Sequence, residues 1–169
     1  MDLDVDRDLI EATQQEFERR GVHSHRQLAV SLEVERINRL VQAAAQPALA
    51  ADNLTFAGWQ ALTALSFHPA KQMPTAKLAL RVGAHPTTIT RTVDRLERSK
   101  LVRRTQGSDR RVKVVTILAA GESAQEAVAK SMDSSEFGLG GVPAESLDEL
   151  AVMLRQVRLL VEGRMDSSD

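Results

Sequence analysis

KLALRVGAHPTTITRTVDRLERSKLVRRTQGSDRRVKVVTI, residues 77–117, changes its hydrophobic period once, and that change decides the fold. Thr75 opens a short helical pattern carrying Leu78, Ala79 and Val82, and Gly83 breaks it. Pro86 then stands where a helix accepts proline, at a first residue whose N–H would have no partner anyway. Ile89, Val93 and Leu96 form the apolar stripe of this second helix. After Lys100 the runs become short and β-branched, at residues 101–104 and 112–117. The segment Gln106-Gly107-Ser108-Asp109 between them is rich in turn formers. Helix, glycine turn, helix and hairpin follow in the order of a winged helix-turn-helix.

The same region concentrates positive charge. Residues 71–113 hold twelve Lys/Arg and three acids, Asp94, Glu97 and Asp109, a net +9, so the remainder of a chain of net charge −1 carries −10. A local field of this kind suits a polyanion. With Ile89, Val93 and Leu96 turned inward, the outward positions of the second helix are Thr87, Thr88, Thr90, Arg91, Asp94, Arg95 and Arg98. Threonine hydroxyls and methyls suit base edges and phosphates, and an arginine bridges the two major-groove acceptors of guanine. Arg91 fits the guanine role, while Arg95 and Arg98, further along, fit phosphates. At the hairpin tip, Asp109-Arg110-Arg111 places arginines where a wing reaches a narrow minor groove. Asp109 has two readings: it orients a neighbouring arginine by a paired hydrogen bond, or it caps its own turn.

Outward from this region the chain is helical. A first helix is expected over about residues 6–20 with Leu9, Ile10, Thr13 and Phe17 on one face, stopped by Gly21. Ser24 is placed to cap a longer helix to about residue 50, with the stripe Leu28, Leu32, Ile37, Leu40, Val41, Ala44 and Ala48, and Pro47 kinking or ending it. Thr55 caps a third helix over residues 56–67, with Trp59, Leu62, Thr63 and Phe67 sharing a face and His68-Pro69 closing it. Gly121 lies near the start of a helix to about residue 132, residues 134–141 read as loop, and Pro143 starts a last helix carrying Leu147, Leu150, Ala151, Leu154, Val157 and Val161. The terminal stripes exceed what a lone chain of 169 residues hides, so a twofold dimer is expected to exchange them. The fold class is therefore mainly α with a small β-hairpin: a winged helix-turn-helix plus helical dimerisation arms. The expected division is 1–53, N-terminal helices with dimerisation and a ligand cleft; 54–118, the DNA-binding region; and 119–169, C-terminal dimerisation helices.

Composition excludes several classes. There is no Cys, hence no disulfide framework, thiolate metal site or Cys nucleophile. His23 and His25 alternate and do not share a helical face, so no metal is expected. No nucleophile triad, phosphate loop or paired carboxylate stands out, so neither enzyme activity nor a cofactor is expected. The opening MDLDVDRD is acidic and unlike a secretory leader, and the apolar runs are too short for a membrane, which points to the cytoplasm.

Residues 54–129 resemble the MarR family of bacterial transcriptional regulators, through AKLALRVGAHPTTITRTVDRLERSKLVRR and the wing GSDRRVKVVTILAAG. The resemblance implies a homodimer with two winged lobes on a pseudo-palindromic operator. It also implies that Arg111, with Arg110, is the minor-groove arginine and that Asp109 supports it. His85-Pro86 departs from the pattern, which usually has a small capping residue there. The added N-terminal helix and Ala57-Gly58-Trp59 are similar to the family's urate-responsive branch. That branch has a tryptophan where Phe17 stands, an acid where Gln60 stands, and an arginine matched by Arg91. Two departures in three count against urate and leave an anionic organic effector, with Phe17, Trp59, Gln60 and Arg91 as the ligand set. Without the resemblance, Phe17 and Trp59 fit a core and Gln60 a solvated face equally well.

The expected function is a sequence-specific DNA-binding transcriptional regulator, a ligand-responsive repressor whose partners are double-stranded DNA, a second copy of itself and the effector. The alternative is a winged-helix adaptor that binds proteins and not DNA, which has no need of the +9 field.

Overall fold

The computed structural model describes residues 4–107, 109 and 111–165. They form two compact units divided between Gly138 and Leu139. The first contains α1 (Asp4–Arg19), α2 (His25–Ala51), α3 (Phe56–Ser66), β1 (Gln72–Pro74), α4 (Thr75–Val82), α5 (Pro86–Arg98), β2 (Val102–Gln106), β3 (Lys113–Ile117), α6 (Ala119–Ser134) and a 3₁₀ turn (Glu136–Gly138); the second contains α7 (Ala144–Met165).

The winged lobe is organised by a few fully buried side chains. Leu62 and Leu65 of α3, Leu78 of α4, Ile89 and Val93 of α5, Val102 of β2 and Val115 of β3 form one cluster. Leu49 of α2 and Val128 and Met132 of α6 join the same cluster. Each such burial is worth roughly 1.5–3 kcal/mol against an exposed side chain, so the three-residue stripe of α5 alone fixes that helix's rotation. The stripe is the expected one: Ile89, Val93 and Leu96 are buried at helical spacing.

The sheet has three antiparallel strands in the order β1-β3-β2, one more than the expected hairpin. Gln72, Met73 and Pro74 pair with Thr116, Val115 and Val114, while Val102 to Gln106 pair with Ile117 to Lys113. A three-residue strand containing proline carries almost no period-2 signal. Pro74 fits at its end, where the missing N–H leaves no ladder bond unmade.

Other expectations change. α2 runs to Ala51, close to the expected end, and Pro47 lies inside it, so of the two expected roles it does not take that of ending the helix. Phe67 does not share the buried face of α3; it is the C-cap and is 71% exposed, and Gly58, Ala61, Leu62 and Leu65 face the core. On α1 the expected Leu9 is exposed, as is Leu40 on α2. Ser24 precedes α2 without a side-chain cap bond, whereas Thr55 Oγ1 accepts the Gly58 N–H at 3.1 Å as expected. The expected loop over 134–141 contains the 3₁₀ turn, which presents Phe137 to Trp59 with ring centroids 6.5 Å apart.

Gly121 is buried on α6, where a β-carbon would sit 2.2 Å from the Leu101 carbonyl oxygen. Only glycine permits this approach between α6 and the start of the wing. Among the described residues no helix is long and apolar enough to cross a membrane, and no group of three or more His, Cys, Asp or Glu could hold a metal ion.

Candidate nucleic-acid interface

The turn between α4 and α5 is built from local chemistry. Gly83 takes a left-handed conformation (φ +66°), and the Ala84 N–H donates to the Ala79 carbonyl at 2.9 Å, closing α4. His85, unexpected as a cap, serves as one: its Nδ1 accepts the Thr87 N–H at 3.3 Å, and Pro86 follows at the first helical position. The imidazole supplies a lone pair that a small hydroxyl would otherwise offer.

From this start α5 presents Thr87, Thr88, Thr90, Arg91, Arg95 and Arg98 to solvent. They are not equally free. The Thr90 hydroxyl donates to the Pro86 carbonyl at 2.8 Å, leaving its oxygen as an outward acceptor. Arg98 Nε donates to the Asp94 carbonyl at 3.3 Å. Arg95 Nη2 donates to both the carbonyl and the side-chain oxygen of Asn53, at 3.1 and 2.8 Å, and so ties α5 to the end of α2. Asn53 adopts φ +52°, a conformation asparagine tolerates well.

Asp94 and Glu97 stand three apart on α5, on one face. Both reach Arg104 on β2. Arg104 Nε and Nη2 donate to Glu97 Oε2 at 2.9 and 2.7 Å, the Arg104 backbone N–H donates to Glu97 Oε1 at 2.8 Å, and Nη2 also pairs with Asp94. The side-chain hydrogen bond from Arg104, then its backbone N–H, hold the Glu97 carboxyl below its ordinary range. Glu97 in turn raises the Arg104 guanidinium above its own. Two of the three acids in the cationic block therefore clamp the wing to α5. The i,i+3 acid pair followed by an arginine was the signal available in the sequence.

At the wing tip, the Asp109 carboxylate accepts the Arg111 backbone N–H at 2.9 Å. This is the turn-capping arrangement, in which the carboxylate holds Arg111 through its main chain. The Gly107 N–H donates to the Val112 carbonyl and the Val112 N–H to the Asp109 carbonyl, closing the tip. Arg111 is exposed, and Arg110 lies outside the described residues.

The four residues expected around a ligand are spread over three helices. Phe17 is on α1, which packs on α2. Trp59 is half-buried on α3, its ring beside Phe56 (5.6 Å) and Phe137, with Nε1 donating to the Gln125 carbonyl at 3.3 Å. Gln60 and Arg91 are exposed. A cavity of about 480 Å³ lies instead at the Arg95–Asn53 contact, lined also by Gln42, Gln46, Leu49, Ala50, Leu54, Thr55 and Phe56.

Residues 54–113 match the MarR family profile. Sco5413, a MarR family transcriptional regulator from Streptomyces coelicolor, is 31% identical, with a TM-score of 0.74 over 81% of this chain and 96% of that one. Sco3205, a MarR family regulator from the same organism solved in complex with DNA, is 20% identical, with a TM-score of 0.68 over 76% of this chain and 83% of that one. BpsR from Bordetella bronchiseptica, whose DNA binding is regulated by 6-hydroxynicotinic acid, is 20% identical, with a TM-score of 0.69 over 76% and 98%. The last two speak to the fold alone. A search of curated proteins found no match. With its winged lobe matched by the family profile and a 31%-identical relative covered almost end to end, the chain belongs to the MarR family of transcriptional regulators.

Proposed function

We propose that this chain binds double-stranded DNA as a twofold homodimer on a pseudo-palindromic operator and acts as a ligand-responsive repressor. The observation that carries the reading is the Arg104 clamp: it holds a cationic helix and an arginine-tipped wing as one rigid reading head. Thr87, Thr88, Thr90 and Arg91 would face bases, Arg98 would face phosphate, and Arg111, with Arg110, the minor groove. Arg95 joins them only when it leaves Asn53. Residues 54–118 would be the DNA-binding region, with 1–53 and 119–169 as arms. Uncovered apolar residues on each arm support dimerisation: Val30, Val34 and Leu40 on α2, and Leu154, Val157, Leu160 and Val161 on α7. Relatives of the same fold bound to DNA, or regulated by a small carboxylic acid, favour the same class of function.

The effector in this reading is a small organic anion. The cavity beside Arg95 and Asn53 offers a cation on a wall shared by α2 and α5. An anion that takes Arg95 from Asn53 would loosen α5 from the arm and couple the two sites through one helix. Phe17, Trp59, Gln60 and Arg91, the set suggested by the urate-responsive branch, form the second candidate site.

A gel shift with selected genomic fragments, at two salt concentrations, tests the DNA reading. Affinity should fall steeply with salt as phosphate contacts release counterions, and Arg111→Ala should weaken operator binding by about 1–3 kcal/mol. Binding that ignores both salt and Arg111 leaves the adaptor alternative. An Arg91→Ala protein that keeps its full effector response removes Arg91 from the ligand set, and the same outcome for Arg95→Ala removes the cavity.

A further inference from the structure

The two most exposed large apolar residues among those described lie on neither arm. Leu80 of α4 is 83% exposed and Phe67, at the end of α3, is 71% exposed. A cleft of about 390 Å³ is lined by Leu80 together with His68, Met73, Lys77 and Arg81. Lys77, Leu80 and Arg81 are spaced i, i+3, i+4 and share one face of α4, while Leu78 and Ala79 take the buried face. No carboxylate lines the cleft, and neither Lys77 nor Arg81 is paired with an acid among the described residues. The face is therefore apolar at its centre and cationic at its rim.

A phosphate backbone would use the two cations and gain nothing from Leu80 and Met73. An acidic protein segment with leucine-like anchors uses both halves: its apolar side chains cover Leu80, and its carboxylates meet Lys77 and Arg81. Exposed apolar patches with polar rims are the usual form of such contacts. We infer that this face of α4 is a docking surface for an acidic, amphipathic segment of a partner protein, separate from the DNA-reading face. A regulator carrying it would engage another protein while α5 and the wing hold the operator.

The test uses the full-length protein and fluorescence anisotropy. The probe is a labelled acidic peptide with leucines at four-residue spacing, beside a peptide of equal charge with serine at those positions and a duplex oligonucleotide. Leu80→Ser is the central variant, since so exposed a side chain contributes little to the fold. The leucine peptide should bind saturably, the serine peptide at least about tenfold more weakly. Leu80→Ser and the Lys77→Glu/Arg81→Glu pair should each weaken the leucine peptide by a similar factor, with duplex binding of Leu80→Ser unchanged. Equal binding of the two peptides, or no saturable binding of the leucine peptide, overturns the inference. So does Leu80→Ser weakening the duplex and not the peptide, which would turn this face toward DNA. Sedimentation adds one more decision: a lower oligomeric state in Leu80→Ser would assign the surface to a second copy of this chain and reject the partner segment.

Discussion

Replacing Gly121 by alanine sets two effects of known size against each other. The new β-carbon would lie 2.2 Å from the Leu101 carbonyl oxygen and 2.9 Å from Ile117 Cγ1. That carbonyl accepts the Leu118 N–H at 3.0 Å and cannot swing aside without losing its bond. Ordinary nonbonded contacts lie beyond about 3 Å, so α6 and the root of the wing must separate by roughly 1 Å. Overpacking against backbone sits at the upper end of its range, about 3 kcal/mol. Alanine returns about 1 kcal/mol of helix propensity, so the expected net loss is about 2 kcal/mol. Urea denaturation should show a lower midpoint with an unchanged slope, at fixed protomer concentration because dimerisation would shift the apparent stability. Gly163→Ala is the control: it also lies in a helix, with nothing within 4 Å of the new carbon, and should gain up to about 1 kcal/mol. Equal stabilisation of both variants would refute the close approach of α6 to Leu101.

Thr55→Ala removes the acceptor of the Gly58 N–H and should cost about 1 kcal/mol by the same denaturation assay; no loss would show that α3 does not depend on this cap. Arg104→Ala deprives Asp94 and Glu97 of their common partner. Allowing for partial exposure, it should cost about 1–2 kcal/mol of stability and weaken operator binding more than nonspecific binding; equal effects on both would deny the clamp a role in positioning. The Glu97 carboxyl titrates below its ordinary value of 4.5 because of Arg104. Its contribution is therefore complete above that value and lost as pH falls through the lower folded value. The stability gap between wild type and Glu97→Gln should be constant near neutrality and close in acid. A gap that persists unchanged into strong acid would rule this linkage out.

Much of the winged lobe was legible because its signals are local. Gly83 as a stop, Pro86 as a start and the Ile89-Val93-Leu96 stripe each act within one or two turns. Features depending on distant partners were not legible. β1 exists because β3 supplies its ladder, and nothing within Gln72–Pro74 announces that. Phe67 fitted the helical period of α3, yet α3 ends one residue earlier and leaves it in solvent. Asp94 and Glu97 enter the sequence reading as acids of the cationic block, and it takes β2 to bring Arg104 across them. Arg95, expected at phosphate, meets Asn53, 42 residues away. Of the two readings of Asp109, the turn cap is the contact among the described residues: its carboxylate accepts the Arg111 N–H.

The order β1-β3-β2 makes the reading head a closed circuit. From α5 the chain of contacts runs through Arg104 to β2, across β3 to β1, directly into α4 and back through the turn to α5. Thr75, the first residue of α4, adds a rung by donating its hydroxyl to the Lys113 carbonyl at 3.1 Å. A circuit cut once still transmits around the other way. Breaking the Arg104 link frees the wing from α5 while the β1–β3 rung still holds it to α4, so breaking both should cost more than the two losses added together.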